Sequence, residues 1–348
     1  MQGAYFLILI TSILSSRLLP SFNMSDFSSF HNQNPLNTWQ SRLNPGFDLL
    51  NNDQLLNLCG TQLDSEAPPS QFAQGQSAPA SPNRLLQTLP ASYDLRTAFP
   101  QCWSVSYIRN QGQCGSCWAF ASMSSLSDRY CIKKSTSTVT ANREFSMQDP
   151  LECCSKADCG SGPNAGCKGG YLTGGFAYAL KYGVSTGENY GNTTMCKPYF
   201  LAPTAAPAAV PNCSTKCANT ATYTTPYSQD LLKISGYTVL TGKTAALTMT
   251  NILNAIYLRG SVMAMMYVYM DFYTYSSGVY QQASTQLAGG HGVRVIGWGV
   301  STVNGQAVNY WIVANSWGTS WGQNGFFWII RGVNNCNIES SMIEGLIN

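Results

Sequence analysis

Charge is scarce in this 348-residue chain: Asp, Glu, Lys and Arg together make up 10%, well under the roughly 25% usual for soluble domains. The net charge is only +3, and no run of Lys or Arg stands out, which excludes an electrostatic footprint for nucleic acid or an anionic membrane surface. Apolar runs are short as well. The almost wholly apolar stretch Ala4 to Leu14 is about half the roughly 20 residues that a spanning helix needs. No internal repeat is apparent. Histidine is nearly absent, with His31 and His291 alone, so any imidazole chemistry has two candidates.

Cysteine is plentiful by contrast, at thirteen residues. The apolar N-terminus, followed by Ser15 and Ser16, reads as a secretory signal over residues 1–16. An exported chain would use its cysteines for disulfides rather than as metal ligands. A zinc site at Cys153, Cys154, Cys159 and Cys167 fits the usual ligand spacings poorly, and no metal or cofactor is expected. Apolar residues make up 44% of the sequence, enough for a sizeable core.

Residues 17–88 differ in character from the rest of the chain. Asn, Gln, Ser and Pro dominate, apart from a short amphipathic stretch near Phe47 to Leu58. Ala67 to Thr88 (APPSQFAQGQSAPASPNRLLQT) has little to bury and reads as an extended, protease-accessible linker. The whole could be a flexible tail or an inhibitory propeptide with a cleavable junction. From Leu89 the chain becomes dense in aromatics, Gly and Cys. Apolar spacing predicts a helix over Cys117 to Lys133. Val262–Tyr269, Val293–Trp298, Tyr310–Ala314 and Phe326–Ile330 read as strands. Met263, Met265 and Met266 fit strand packing better than a metal site, and the Pro/Ala stretch Leu201 to Pro211 reads as a surface loop. Helices first and strands later imply an α+β protein of two packed halves.

Three blocks carry the chemistry. In QGQCGSCWAF (Gln111 to Phe120), Cys117 opens the predicted helix, whose positive end favours a thiolate. His291, in GGHGVRVIGWG, is the only imidazole after residue 31 and could act as its base. Asn315, in YWIVANSWGTSWG, could orient the ring, with Trp317 shielding that bond from water.

These blocks resemble the papain family of cysteine peptidases, most of all its cathepsin B branch, from about Thr38 (TWQ, then LCGT at Leu58–Thr61) to Glu344. The resemblance implies a papain-like two-domain fold, with a helical left domain and a β-barrel-like right domain over residues 89–348, and an inhibitory propeptide over residues 17–88. It makes Cys117 the nucleophile, His291 the acid–base, Asn315 the orienting group and Gln111 an oxyanion-hole donor with the Cys117 N–H. Gly169, Gly170, Leu172, Gly292, Trp317 and Ser341 would bind substrate. It pairs Cys102 with Cys131, Cys114 with Cys167, Cys153 with Cys213, Cys154 with Cys159 and Cys196 with Cys217, leaving Cys117 and Cys336 as thiols among the twelve cysteines from Cys102 on, with Cys59 apart from them in the propeptide. The expected partners are protein and peptide substrates, the chain's own propeptide, and cystatin-type inhibitors. The enzyme is expected to be a monomer in a lysosome- or vacuole-like compartment or outside the cell. Relatives of the fold without a nucleophile act as binding proteins, and a transpeptidase would share the thioester.

Two departures stand out. Cathepsin B has an occluding loop with paired histidines that bind a substrate's C-terminal carboxylate. The matching region, Cys196 to Cys217, has none, which predicts an endopeptidase. Where cathepsin B has a glutamate at the base of the pocket for the second residue before the cleaved bond, this chain has Ser341. That predicts a preference for apolar over arginine side chains. Asn23, Asn192 and Asn212 begin N-glycosylation sequons.

Overall fold

The computed structural model describes residues 22–62, 89–135, 140–154, 166–218 and 220–348. The signal segment, the linker after Gln62 and Cys159 lie outside them. Eleven strands are present among the described residues: β1 (Trp39–Ser41), β2 (Thr61–Gln62), β3 (Tyr93–Asp94), β4 (Gly170–Tyr171), β5 (Gly236–Val239), β6 (Val262–Tyr269), β7 (Tyr275–Tyr280), β8 (Leu287–Val303), β9 (Gln306–Ala314), β10 (Phe326–Ile330) and β11 (Met342–Leu346). Nine of them form one sheet in the order β1-β7-β10-β9-β8-β6-β11-β5, with β3 on β8. This path has two ends, so the right half is an open sheet where the sequence reading expected a barrel-like one.

The left half is built on the helix Cys117–Lys134. Fourteen of its eighteen residues are buried, because both halves pack against it. One core, around Phe120, Leu126, Leu151 and Phe176, lies on the left. The other gathers Trp298, Trp311 and Phe327 from the sheet and Trp321 from the connection between β9 and β10. Asp128 and Arg294 pair at 2.7 Å across the seam. Asp128 also accepts from the hydroxyls of Ser104 and Ser261, so its buried charge is fully hydrogen-bonded. Four disulfides join Cys102 to Cys131, Cys114 to Cys167, Cys153 to Cys213 and Cys196 to Cys217. The pairing expected for Cys154 falls on Cys159, outside the described residues. Leu201–Pro211 lies at the surface, with only Leu201 buried.

The segment before the linker docks on the sheet. Asn23 caps the helix Met24–Asn32 by accepting from the N–H groups of Ser25 and Asp26, a common way to satisfy the first turn. β1 then pairs with β7. Met24, Trp39, Phe47, Leu55 and Leu58 are buried in the right-hand core.

Candidate active site

Cys117 begins its helix directly after Ser116, and its thiol is fully buried beneath the docked N-terminal segment. His291 sits on β8, one residue before Gly292. Its Nε2 lies 2.8 Å from Asn315 Oδ1. That oxygen also accepts from the Ser316 N–H at 2.8 Å, so the amide cannot turn its nitrogen toward the ring. Nε2 therefore donates, which leaves Nδ1, buried without an oxygen or nitrogen partner, as the ring atom that can exchange a proton with the thiol. Burial alone pushes the Cys117 thiol up. The charge and hydrogen bonding of His291 outweigh this, helped by the Gly292 backbone and the Thr61 hydroxyl, and bring the thiol down to about 7. Trp317 lies over the imidazole with ring centres 4.7 Å apart, covering the bond to Asn315.

Gln111 is held on all its polar atoms. Its N–H donates to Ser316 O at 2.9 Å, and its Oε1 accepts from the Ser316 hydroxyl at 2.6 Å. Its Nε2 donates to Cys114 O at 2.7 Å and to Leu58 O at 3.1 Å. A peptide carbonyl of the N-terminal segment thus occupies the Gln111 side-chain donor. The segment continues with the Gly60 N–H 3.4 Å and the Thr61 hydroxyl 3.1 Å from Cys117 Sγ. Gly60 O accepts from the Gly170 N–H at 2.8 Å, and β2 runs parallel to β4.

Glycine is required where these backbones meet. A Cβ on Gly169 would lie 2.5 Å from Gly60 O, and one on Gly290 would lie 2.1 Å from Thr61 O. Gly292 faces Thr61 in the same way, at 2.9 Å from its hydroxyl. Leu172 is buried in the left core. Ser341 is half-buried, its carbonyl accepting from the Met265 N–H at 3.4 Å, and Met265 is the register partner of Gly292. Cys59 points toward Tyr273, whose hydroxyl lies 3.3 Å from its sulfur. Burial nevertheless pushes that thiol up to about 12. The sequence reading missed Ser316 and the Thr61 hydroxyl as parts of this site. For Ser316 the only signal was its place beside Asn315.

The sequence profile of the papain family cysteine proteases matches residues 89–346. The chain belongs to the papain family. Among curated relatives it is 41% identical over 277 residues to a cathepsin B-like cysteine proteinase of Caenorhabditis elegans, covering 74% of this chain and 76% of the relative. It is 40% identical over 266 residues to a gut-specific cysteine proteinase of the same organism, covering 75% and 74%. Among solved structures it is similar to procathepsin B S9 from Trypanosoma congolense, with a TM-score of 0.72, 29% identity, and 93% and 97% of the two chains covered. That papain-family relative is a proform, as this chain is with residues 22–62 across its cleft.

The docked segment carries a pH-sensitive element. His31 is buried between Phe27 and Trp39, with ring centres 5.3 and 4.0 Å away. Its Nε2 lies 3.2 Å from Trp39 O. Its Nδ1 faces the Asn37 amide nitrogen at 3.1 Å. The same nitrogen donates to His31 O at 2.6 Å, which pins the amide, so Nδ1 must be an acceptor and the ring neutral. Burial lowers the pKa of His31, against the opposing bond to Trp39. Because the docked form disfavours the proton, docking is unaffected above the ordinary histidine value of about 6.5. It weakens as pH falls through that value toward the lowered one. His31→Gln, which stays neutral, is expected to move the midpoint of zymogen activation to lower pH. An unchanged midpoint would count against this role.

Proposed function

We propose that the processed chain is a cathepsin B-like cysteine endopeptidase whose nucleophile is Cys117. The observation that carries this reading is the docked segment itself: the peptide carbonyl of Leu58 is held by Gln111 Nε2, and Gly60 and Thr61 lie against Cys117 Sγ. A substrate carbonyl that accepts from this same Gln111 amide and from the Cys117 N–H would turn its carbon to Cys117 Sγ. His291 Nδ1 takes the thiol proton as the C–S bond forms, and the oxyanion is held by Gln111 Nε2 and the Cys117 N–H. As the tetrahedral intermediate collapses, His291 gives the proton to the leaving amine. It then activates a water that hydrolyses the thioester. The docked segment escapes this fate because it offers the sulfur an N–H and a hydroxyl rather than a carbonyl carbon.

The mature chain would begin near Leu89, where the family match starts, after removal of residues 17–88. Export, to an acidic compartment or out of the cell, is supported by four disulfides. No helix among the described residues is long and apolar enough to cross a membrane. A monomer whose cleft opens on activation would also suit cystatin-type inhibitors.

The endopeptidase reading rests on the Leu201–Pro211 loop, which holds no histidine and no positive charge to fix a C-terminal carboxylate. Pro203 and Thr204 of this loop border a groove of about 370 Å³. Phe47, Leu50 and Leu58 of the docked segment line the same groove. The neutral Ser341 should favour Phe-Arg over Arg-Arg reporter substrates, and Ser341→Glu should raise Arg-Arg turnover at least about tenfold, or 1.4 kcal/mol. Equal turnover of the two reporters by the wild type, or efficient stepwise release of C-terminal dipeptides, would overturn these assignments.

A further inference from the structure

We infer that Tyr199 is a positioning residue for the oxyanion hole, tying Gln111 to the start of the nucleophile's helix through its hydroxyl. The inference rests on the roles proposed above for Gln111 and Cys117. Tyr199 is 1% exposed and lies between Cys196 and Cys217, which a disulfide closes. Its N–H donates to Glu188 O at 2.8 Å. Phe120 and Phe200 meet its ring edge-on, with centres 4.7 and 5.2 Å away. The ring is therefore held on two sides and its hydroxyl has one place to go.

That hydroxyl lies 2.9 Å from Gln111 O and 2.9 Å from Ser116 Oγ. A carbonyl can only accept, so the single phenolic proton goes to Gln111, and Ser116 must donate to the tyrosine oxygen. Burial holds the phenol above its usual range, so the proton stays in place. The bridge joins the segments that carry the two donors of the hole: Gln111 itself, and Ser116, which precedes Cys117. Ser316 secures Gln111 from beside Asn315; Tyr199 is its counterpart from the opposite side, 88 residues along the chain.

Two probes of the processed enzyme separate positioning from general structure. A peptide aldehyde forms a hemithioacetal whose oxygen enters the hole. 2,2′-Dipyridyl disulfide reacts with the thiolate and forms no oxyanion. Tyr199→Phe keeps the ring and removes the bridge. It is expected to lower kcat about tenfold with little change in KM, and to weaken aldehyde binding by a similar factor. The rate and pH profile of disulfide exchange should stay within twofold of wild type. In a Gln111→Ala background the same change should cost less in kcat than in the wild type, because only the Cys117 N–H is then left to position. Should the Phe variant fail to fold, Ser116→Ala, which removes the bridge's other end, is read with the same probes. An unchanged kcat, or a parallel loss with both probes, would overturn the proposal. If Gln111→Ala alone left turnover intact, the oxyanion-hole reading itself would fall instead.

Discussion

Replacing His291 by alanine is expected to lower kcat/KM on a Phe-Arg substrate by about 10⁴-fold or more, the scale found when one member of a nucleophile–base unit is removed. Two losses combine. The first is electrostatic. Burial pushes the Cys117 thiol up, and His291 is the largest influence that brings it down to about 7. Without the imidazole the burial effect remains and the thiolate becomes scarce at neutral pH. The second is the loss of the acid that protonates the leaving amine. The only other histidine is His31, packed against Trp39 in the docked segment, so no second imidazole can substitute. Circular dichroism should show the variant folded, and steady-state kinetics on the processed protein should show the loss. A decrease of less than about tenfold would remove His291 from the mechanism.

Gly60→Val is expected to abolish latency while leaving the processed enzyme unchanged, because residue 60 is absent from the mature chain as proposed. A Cβ at this position would lie 2.1 Å from Gly115 O and 2.5 Å from Gly115 C, both backbone atoms next to the nucleophile's helix. Neither can swing aside as a side-chain tip could. The segment would have to lift, losing the Gly170 N–H to Gly60 O bond at 2.8 Å and the Thr61 contact to Cys117 at 3.1 Å. Overpacking of this kind typically costs about 1–3 kcal/mol, and each lost hydrogen bond adds about 0.5–1.5 kcal/mol. Together these come to about 2–6 kcal/mol and weaken docking by roughly thirtyfold to twenty-thousandfold. The measurement is labelling of Cys117 by an active-site thiol probe in the unprocessed chain at neutral pH. The wild type should stay unlabelled and the variant should react. Equal protection of both would mean that the segment inhibits through its other contacts.

The parts of the molecule that the sequence made legible are those with a strong local signal. The Cys117 helix ended one residue past its expected limit, at Lys134. β6 and β10 fell on the expected residues because their apolar and β-branched content is continuous. β8 was underestimated at both ends; at its start Gly289, Gly290 and Gly292 carry no strand propensity. They are in the sheet because β6 pairs with them and the docked segment crosses over them. The helix Met24–Asn32 went unread because its face is made of Met24, Ser28 and His31, which show little apolar period. At the site, Cys117, His291 and Asn315 stand in compact blocks. The Tyr199 hydroxyl reaches Gln111 across 88 residues and leaves no local trace. Barrel closure likewise depends on whether the end strands meet, and β1 and β5 remain at opposite ends of the sheet.

The most direct test of the account is mass spectrometry of the acid-processed, folded protein after exposure to an epoxide that alkylates papain-type thiols. The expected result is a single adduct on Cys117, absent in Cys117→Ser, with Phe-Arg cleavage lost in step with its formation. Processed, folded protein that takes up no adduct at Cys117 would contradict the account and leave a papain-family fold that binds peptides without cutting them.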